Sequence, residues 1–454
     1  MTLPFNQPSP DLRSIIASLV GTFVLRVASA VMGSMIQLYF GYIDRSVYPL
    51  SSTMRGVALA VFFIPELLGS PALGAWSDRY GRKFFIWFSS LTGGIAVQIA
   101  ALTTNFGALA VTRLLTGLST ASAFPATLGL LSAETATNES LRGRVMGLFQ
   151  LATLGGTVIG ILIGGRLWDL FQANAFTLNH AIYIVSLAIF FFGIREKTRK
   201  DTQGHETNAI AHGAQAVRQS LDRYRDVFLS PIVLRFAPAW LTINIILGVW
   251  LNQIIGQLIA PRGRFPTQLL FGILGDNGNA GTMISVAALG LAIVFVVGVI
   301  GWSLVLGKIR RTTVMLIGTG GLFALCAAIF ALNHRANLDE PLLVFDLAFA
   351  FVALFGVSGL MPASLTYLAD VTEARANDRG AIMGMYTIFF GAGQFIGTLL
   401  GGPFADWAAI DGILLLTALL GVFTTVMLVR LHRTNSHGVV RSDAILTKDA
   451  ESDK

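Results

Sequence analysis

Charge is scarce in this chain. Asp, Glu, Lys and Arg make up 13% of its 454 residues, against about 25% in a soluble domain. Cysteine is nearly absent. Cys326 stands alone inside an apolar run, so no intrachain disulfide can form. The six histidines are scattered, none at ligand spacing from another histidine or a cysteine, so no metal is expected. No cofactor is expected either, and the absence of a nucleophile–base pair argues against an enzyme. The net charge of +7 comes from short loops between apolar runs rather than from a basic cluster interleaved with aromatics, which excludes nucleic acid as a partner. Ala28-Ser29-Ala30 has the look of a leader cleavage site, but Arg26 breaks the apolar stretch before it, so no cleavable leader is expected.

What the chain has in abundance is apolar sequence, at 54% of its residues. That is about 245 residues, close to what twelve spans of roughly 20 residues require. Apolar spans fall at 15–39, 52–77, 83–103, 107–132, 143–166 and 177–194, then at 232–259, 282–306, 313–333, 341–368, 380–402 and 410–431. With both termini and the even-numbered loops in the cytoplasm, 24 of the 32 Lys and Arg lie inside and five outside. The remaining three, Arg26, Arg55 and Arg113, lie within spans. The bias fixes that orientation by the positive-inside rule. The expected fold is an all-α membrane protein with its partner the lipid bilayer, and a multi-pass place in the cell's inner (plasma) membrane.

The second half repeats the first. At a constant offset of 237, Pro125 falls on Pro362, Arg142-Gly143 on Arg379-Gly380, and Met146-Gly147 on Met383-Gly384. Gly156, Gly160, Gly164 and Gly165 fall on Gly393, Gly397, Gly401 and Gly402, and Asp169 falls on Asp406. The twelve helices are thus expected as two six-helix bundles related by pseudo-twofold symmetry, a device of transporters. The expected divisions are an N-terminal bundle at 1–194, a cytoplasmic linker at 195–231, a C-terminal bundle at 232–433 and a polar, mobile tail at 434–454. The linker carries Ile210, Ala214, Val217, Leu221, Tyr224 and Phe228 at spacings of three and four, an amphipathic helix pattern suited to a membrane surface. The glycines spaced by four on helices 5 and 11 (156, 160 and 164; 393, 397 and 401) should let helix backbones approach closely.

The loop after the second span reads Gly74-Ala-Trp-Ser-Asp78-Arg79-Tyr-Gly81-Arg82-Lys83. It resembles the loop 2–3 signature of the major facilitator superfamily, and Arg113-Leu-Leu-Thr-Gly117 followed by Pro125 resembles that family's helix-4 arginine motif. The resemblance covers about residues 15–431 and is closest to the drug:proton antiporters. It implies the family's fold and alternating-access transport of a small molecule with protons, by a monomer. The second half departs from the signature: Gly307-Lys308-Ile309-Arg310-Arg311 keeps the charge but lacks the acid. Asp78 should be drawn to the N-terminus of helix 11, which begins near Gly380, and hold the cytoplasmic side closed. Arg82 should bridge to Glu134.

Charges inside the bilayer are costly and therefore functional suspects. Arg26 and Glu66 each lie about eleven residues from the cytoplasmic end of their span, roughly 16 Å deep. They are expected to form a pair, either coupling transport to protons or only orienting helices 1 and 2. Burial and a nearby arginine act on a carboxyl's proton affinity in opposite senses, which suits a group that takes up and releases a proton. Arg26 heads a polar stripe with Ser29, Gly33 and Gln37, and Arg113 shares a face with Gly117 and Thr120. Asn244 and Asn252 add polar groups to helix 7, while Arg55 and Asp346 should face the outer entrance. The expected activity is proton-coupled export of amphipathic compounds. Uptake of an organic anion on Arg26 and Arg113 is the alternative, and a non-transporting sensor or enzyme is remote.

Overall fold

The structure, a computed structural model, describes residues 11–136, 138–195, 231–306, 308–336, 343–373 and 379–452. Side chains are described there except at 139, 231–233, 369–373, 379–387 and 434–452. The expected amphipathic helix of the linker lies outside the described residues.

Among the described residues every regular element is helical. The first half holds α1 (Leu12–Ser46), α2 (Ser52–Ala60), α3 (Phe63–Tyr80), α4 (Arg82–Leu102), α5 (Phe106–Glu134), α6 (Glu139–Phe171) and α7 (Asn174–Gly193). The second holds α8 (Pro231–Leu258), α9 (Ala280–Val305), α10 (Arg311–Asn333), α11 (Leu343–Ser358), α12 (Leu360–Glu373) and α13 (Arg379–Ser452). Eleven described segments are long and apolar enough to cross a membrane. The last of them, Ile388–Arg433, is interrupted by non-helical backbone at Ala408 and Ala409, within the gap expected between spans 11 and 12. Beyond 431 the backbone of α13 stays helical to Ser452, where a mobile tail was expected. That stretch contains no proline and one glycine, so little in it stops a helix.

Local signals set the ends. Asp11, Ser51, Asn105 and Asn138 accept from amides in the first turns of α1, α2, α5 and α6, as short polar side chains do at helix starts. Asp11 is held below the usual carboxylate range. Burial alone would raise it, but bonds from Ser14 and Arg13 outweigh that. Gly81 takes φ 103° between α3 and α4, a conformation that glycine adopts without penalty.

Two of the expected spans are broken. Span 2 parts at Val61–Phe62 and span 10 at Gly359. In each case a proline follows closely, Pro65 and Pro362. Proline lacks the amide that would bond to residue i−4 and is tolerated in a first turn, so a new helix begins just ahead of it.

Packing follows the glycines. A Cβ added at Gly156 or Gly160 would lie 2.6 Å from the Phe23 carbonyl or 2.5 Å from the Val27 carbonyl. At Gly164 it would lie 2.1 Å from Ser34 Oγ. Backbone of α6 therefore rests on backbone of α1. In the second half Gly393 meets Asn244, Gly397 meets the Ile245 carbonyl, and Gly401 meets Gln253, which seats α13 on α8 in the same manner. The largest buried core centres on the first half, around Met35, Ile36, Tyr39, Phe176 and Phe190, and reaches Ile259 and Ala280 of the second. A second gathers Phe236, Trp240, Met315, Leu360 and Tyr367.

The bundle has a near end, where α1 starts, and a far end, where α1 stops and α2 starts. Among the described residues, every hydrogen bond between the two halves lies toward the far end. They include Arg45 to the carbonyls of Ile259 and Gly275, Gln257 to Ser52, and Ser285 to the carbonyl of Ile161.

Gly160→Leu should cost about 1–3 kcal/mol through overpacking, whereas Gly143→Ala, with nothing within 4 Å of the added atom, should leave stability unchanged. Thermal unfolding in detergent checks both.

Candidate functional site

The break in span 2 creates the site. At Phe62 the backbone carbonyl turns toward α5, and a Cβ on Gly117 would lie 2.1 Å from it. Only a glycine on α5 admits that carbonyl. One turn earlier on α5, Arg113 places its guanidinium 4.9 Å from the centre of the Phe62 ring, within range of a cation–π attraction. Arg113 is 8% exposed, and its Nε has no hydrogen-bond partner. Glu66 follows in the first turn of α3, the favourable place for an acid relative to the helix dipole.

Arg26 and Arg113 are the cations whose fields reach Glu66. Neither forms an ion pair with it within 4.0 Å, so the expected direct Arg26–Glu66 pair is replaced by a looser arrangement. The reason is visible in where the arginines go: Arg26 stands 5.9 Å from the centre of the Phe124 ring. The Glu66 carboxylate itself makes no hydrogen bond among the described residues, while its backbone carbonyl accepts from Ser70 at 2.6 Å. Arg26, Ser29, Gly33, Gln37 and Glu66 are all half-buried, whereas their neighbours Ala28, Val31 and Ile36 are fully buried. A Cβ on Gly33 would meet nothing within 4 Å, and Gln37 Oε1 has no partner. That face of α1 is therefore open.

Sequence reasoning missed Tyr183. It lies in the apolar run of α7, with nothing nearby to mark it. Its ring occupies a recess left by Gly93, where a Cβ would sit 2.2 Å away, and its buried side chain lies in the fields of both Arg113 and Arg26. Phe62 and Phe124, the rings that hold the two arginines, were also unmarked.

The signature loop forms a cluster of its own at the near end. Arg82 donates to Asp78 Oδ1 through Nε at 2.8 Å and Nη2 at 2.6 Å, and to the Gly129 carbonyl at 2.7 Å. This corrects the expected Arg82–Glu134 bridge. Asp78, four residues earlier, is the nearer acid, and Glu134 Oε2 accepts from the amide of Asp11 at 3.0 Å. Gly74 lies against Pro125, which brings the two family motifs together. Arg79 and Lys83 stand 5.3 Å from the ring centres of Tyr80 and Phe191. The start of α13, to which Asp78 was expected to turn, is described in backbone only.

Other expected positions are relocated. Asn244 is fully buried and donates to the Trp240 carbonyl at 2.7 Å, and Gly393 packs against its Cβ. It is a packing residue at the α8–α13 contact rather than a lining of the open face. Arg55 is 7% exposed and reaches the Gly256 carbonyl at 3.3 Å and Asp44 at 3.9 Å. It is buried between the halves rather than facing an entrance, because the end of α8 at Gly256 packs against its guanidinium. Asp346 is paired with Arg335.

A helical bundle with few charges, an open polar face and a half-buried carboxylate within the fields of two arginines is the architecture of a multi-pass membrane protein. The chain belongs to the Major Facilitator Superfamily, whose sequence profile matches residues 15–298 and 263–447, and it is a transporter of that family. It is 23% identical over 363 residues to multidrug resistance protein 2 of Bacillus subtilis (strain 168), covering 79% of this chain and 81% of the relative. It is 25% identical over 268 residues to the class H tetracycline resistance protein of Pasteurella multocida, covering 58% and 60%. Among solved structures, a bacterial homologue of the human lysosomal transporter Spinster, inward-facing and unoccupied, superposes with a TM-score of 0.65 at 13% identity. That match covers 93% of this chain and 96% of the other. A D-xylose–proton symporter gives 0.63 at 13% identity, covering 92% and 97%.

Phe62→Leu should keep the fold and lose about 0.5–2 kcal/mol of cation–π stabilisation at Arg113. Gly117→Leu should cost about 1–3 kcal/mol by pushing the Phe62 carbonyl away. Thermal unfolding of the purified variants separates the two.

Proposed function

We propose that this protein is a proton-coupled exporter of amphipathic, drug-like or lipid-like compounds, working by alternating access in the cell's inner membrane. The observation that carries the reading is Glu66: a half-buried carboxylate in the middle of the bundle, without a hydrogen-bond partner, beside an open face and within the fields of Arg26 and Arg113. Such a group can exchange a proton with whichever side the bundle opens toward. Its two arginines hold counter-charge close without locking it into an ion pair. The names of the multidrug and tetracycline resistance relatives support export of amphipaths, and 32 phenylalanines suit an adaptable apolar cavity.

In this reading α13 is two spans parted at Ala408–Ala409, the chain crosses twelve times as two six-helix bundles, and both termini and the near end are cytoplasmic. The protein acts as a monomer. The closed far end is then the outer gate, and the conformation is inward-facing. Asp78 is the inner latch. Its charge at the N-terminus of helix 11 contributes about 0.3–1 kcal/mol. Asp78→Asn should therefore shift the equilibrium about 2–5-fold toward the inward-open form, read by labelling from the cytoplasmic side.

A second reading rests on the count of charges. Two arginines face one carboxylate, so an anionic substrate would find a free guanidinium, above all when Glu66 is protonated. That would make the protein a proton-coupled importer of an organic anion.

Transport in proteoliposomes under an imposed pH gradient decides between them. Proton release against a cationic or neutral amphipath, abolished by Glu66→Gln, is the expected result. Proton movement in the same direction as an organic anion, abolished by Arg26→Ala, selects the second reading. PH-driven transport that survives Glu66→Gln would refute the coupling role.

A further inference from the structure

The internal repeat aligns Asp169 with Asp406, yet neither residue belongs to the site. Both reach across from one half of the chain to the other. Asp406 Oδ1 accepts from the Ser52 amide at 2.6 Å, and its Oδ2 accepts from the Thr53 amide at 2.9 Å and the Thr53 hydroxyl at 2.6 Å. Asp169 Oδ1 accepts from the Gly281 amide at 2.9 Å and its Oδ2 from the Thr282 amide at 2.7 Å. Each carboxylate thus spans two consecutive amides in the first turn of a helix on the opposite side, α2 for Asp406 and α9 for Asp169.

These amides are the donors a helix cannot satisfy internally. The others in the same turns are met from nearby in sequence: Met54 by Ser51 Oγ, Arg55 by the Ser51 carbonyl, Ala280 by the Asn277 carbonyl and Met283 by the Asn279 carbonyl. The two aspartates complete both caps and place negative charge at the positive helix ends. The approach depends on glycine. A Cβ on Gly165 would lie 2.1 Å from the Gly281 carbonyl, and one on Gly402 would lie 2.6 Å from Thr53 Cα. In both halves that glycine precedes the aspartate by four residues.

We infer that Asp169 and Asp406 are paired latches of the outer gate, positioning residues of the transport cycle; this rests on the alternating-access reading above. Opening the outer side pulls both carboxylates off four amides at once. At the inner end the signature acid of the first half is Asp78, and the matching stretch Gly307–Arg311 of the second half lacks an acid. Both latches together favour the outward-closed form.

Asparagine tests this without changing size. It replaces one of the two acceptor oxygens by a donor that faces a backbone N–H. Spin-label pairs at Asn174 and Ala336 report the outer end, and pairs at Ser140 and Lys308 the inner end; all four positions are exposed. Distances are read by pulsed electron resonance on the full chain in nanodiscs at low and high pH. Asp169→Asn and Asp406→Asn should each raise the ratio of outward-open to inward-open molecules about 2–30-fold, the range of a lost cap. The double variant should multiply the two effects. Thr53→Val, which removes one hydroxyl and is the mildest change, should shift the ratio in the same direction by less. Asp276→Asn, exposed on the same face and without these bonds, should shift nothing. Unchanged outer distances in Asp169→Asn, Asp406→Asn and Thr53→Val, in a wild-type protein that alternates, would overturn the latch. A wild-type protein with one fixed outer distance under all conditions overturns alternating access itself, and the latch with it.

Discussion

In hydrocarbon there is no water to satisfy a backbone amide or carbonyl, so every one must be met from within the protein. This constraint decides where the helices of this transporter are allowed to break. Each interruption stands where another part of the bundle shelters it. At Phe62 the carbonyl enters the gap left by Gly117. At Ala408 the carbonyl accepts from Gln268 Nε2 at 2.8 Å, and Gln268 Oε1 accepts from the Ile410 amide at 3.1 Å. The turn at Ala408 is satisfied in this way between spans, and at Phe62 the chemistry gathers beside the break. Glu66, Arg113 and Phe62 are together because span 2 stops and restarts there.

The same accounting explains the asymmetry between the two ends. At the far end the first-turn amides of α2 and α9 are met by carboxylates from the opposite half, so separating the halves exposes unpaired donors and charged acceptors together. A lost cap costs about 0.5–2 kcal/mol, a size comparable with the few kcal/mol that separate two populated conformations. Such contacts are strong enough to set a resting state and weak enough to be reversed within a cycle. Backbone-to-backbone glycine contacts between α6 and α1, and between α13 and α8, lie within each half rather than between halves. They hold each half together while the contacts at the far end change.

Much of this was legible in the sequence, and the reasons for the rest are physical. The all-helical, membrane-spanning character and the packing glycines are periodic signals, and periodicity survives without coordinates. Pro65 and Pro362 could have revealed the two helix breaks, since each removes an amide just past the break. Tyr183 could not have been found, because a tyrosine in an apolar run has no local marker and its meaning comes from Gly93 and Arg113 on other helices. Arg55 was misplaced because its depth along the helix says nothing of what packs on it, here the end of α8 at Gly256. Asp169 and Asp406 were visible as a matched pair, but the amides they cap belong to helices 112 and 354 residues away. Arg82 chose Asp78 over Glu134 because the turn at Gly81 sets it four residues from Asp78 in the chain, while Glu134 lies at the C-terminal end of another helix, α5.

One pair of helices ties these features together. Along α2 and α3 lie Thr53 at the far-end contact, Glu66 at the break and Asp78 in the near-end signature. Thirteen and twelve residues separate them, about 20 Å and 18 Å of helix. The facing helix α13 supplies Asp406 at the outer end and packs Gly391 against Leu67 beside Glu66. Glu66 thus stands next to the contact between α3 and α13, and the same α13 reaches α2 through Asp406 and Thr53. One helix therefore touches the chain on both sides of the break, beside Glu66 and at Thr53, with no relay of intermediate side chains. Rigid helix lies on both sides of that sheltered break, and the break supplies the place where the two segments can turn against each other.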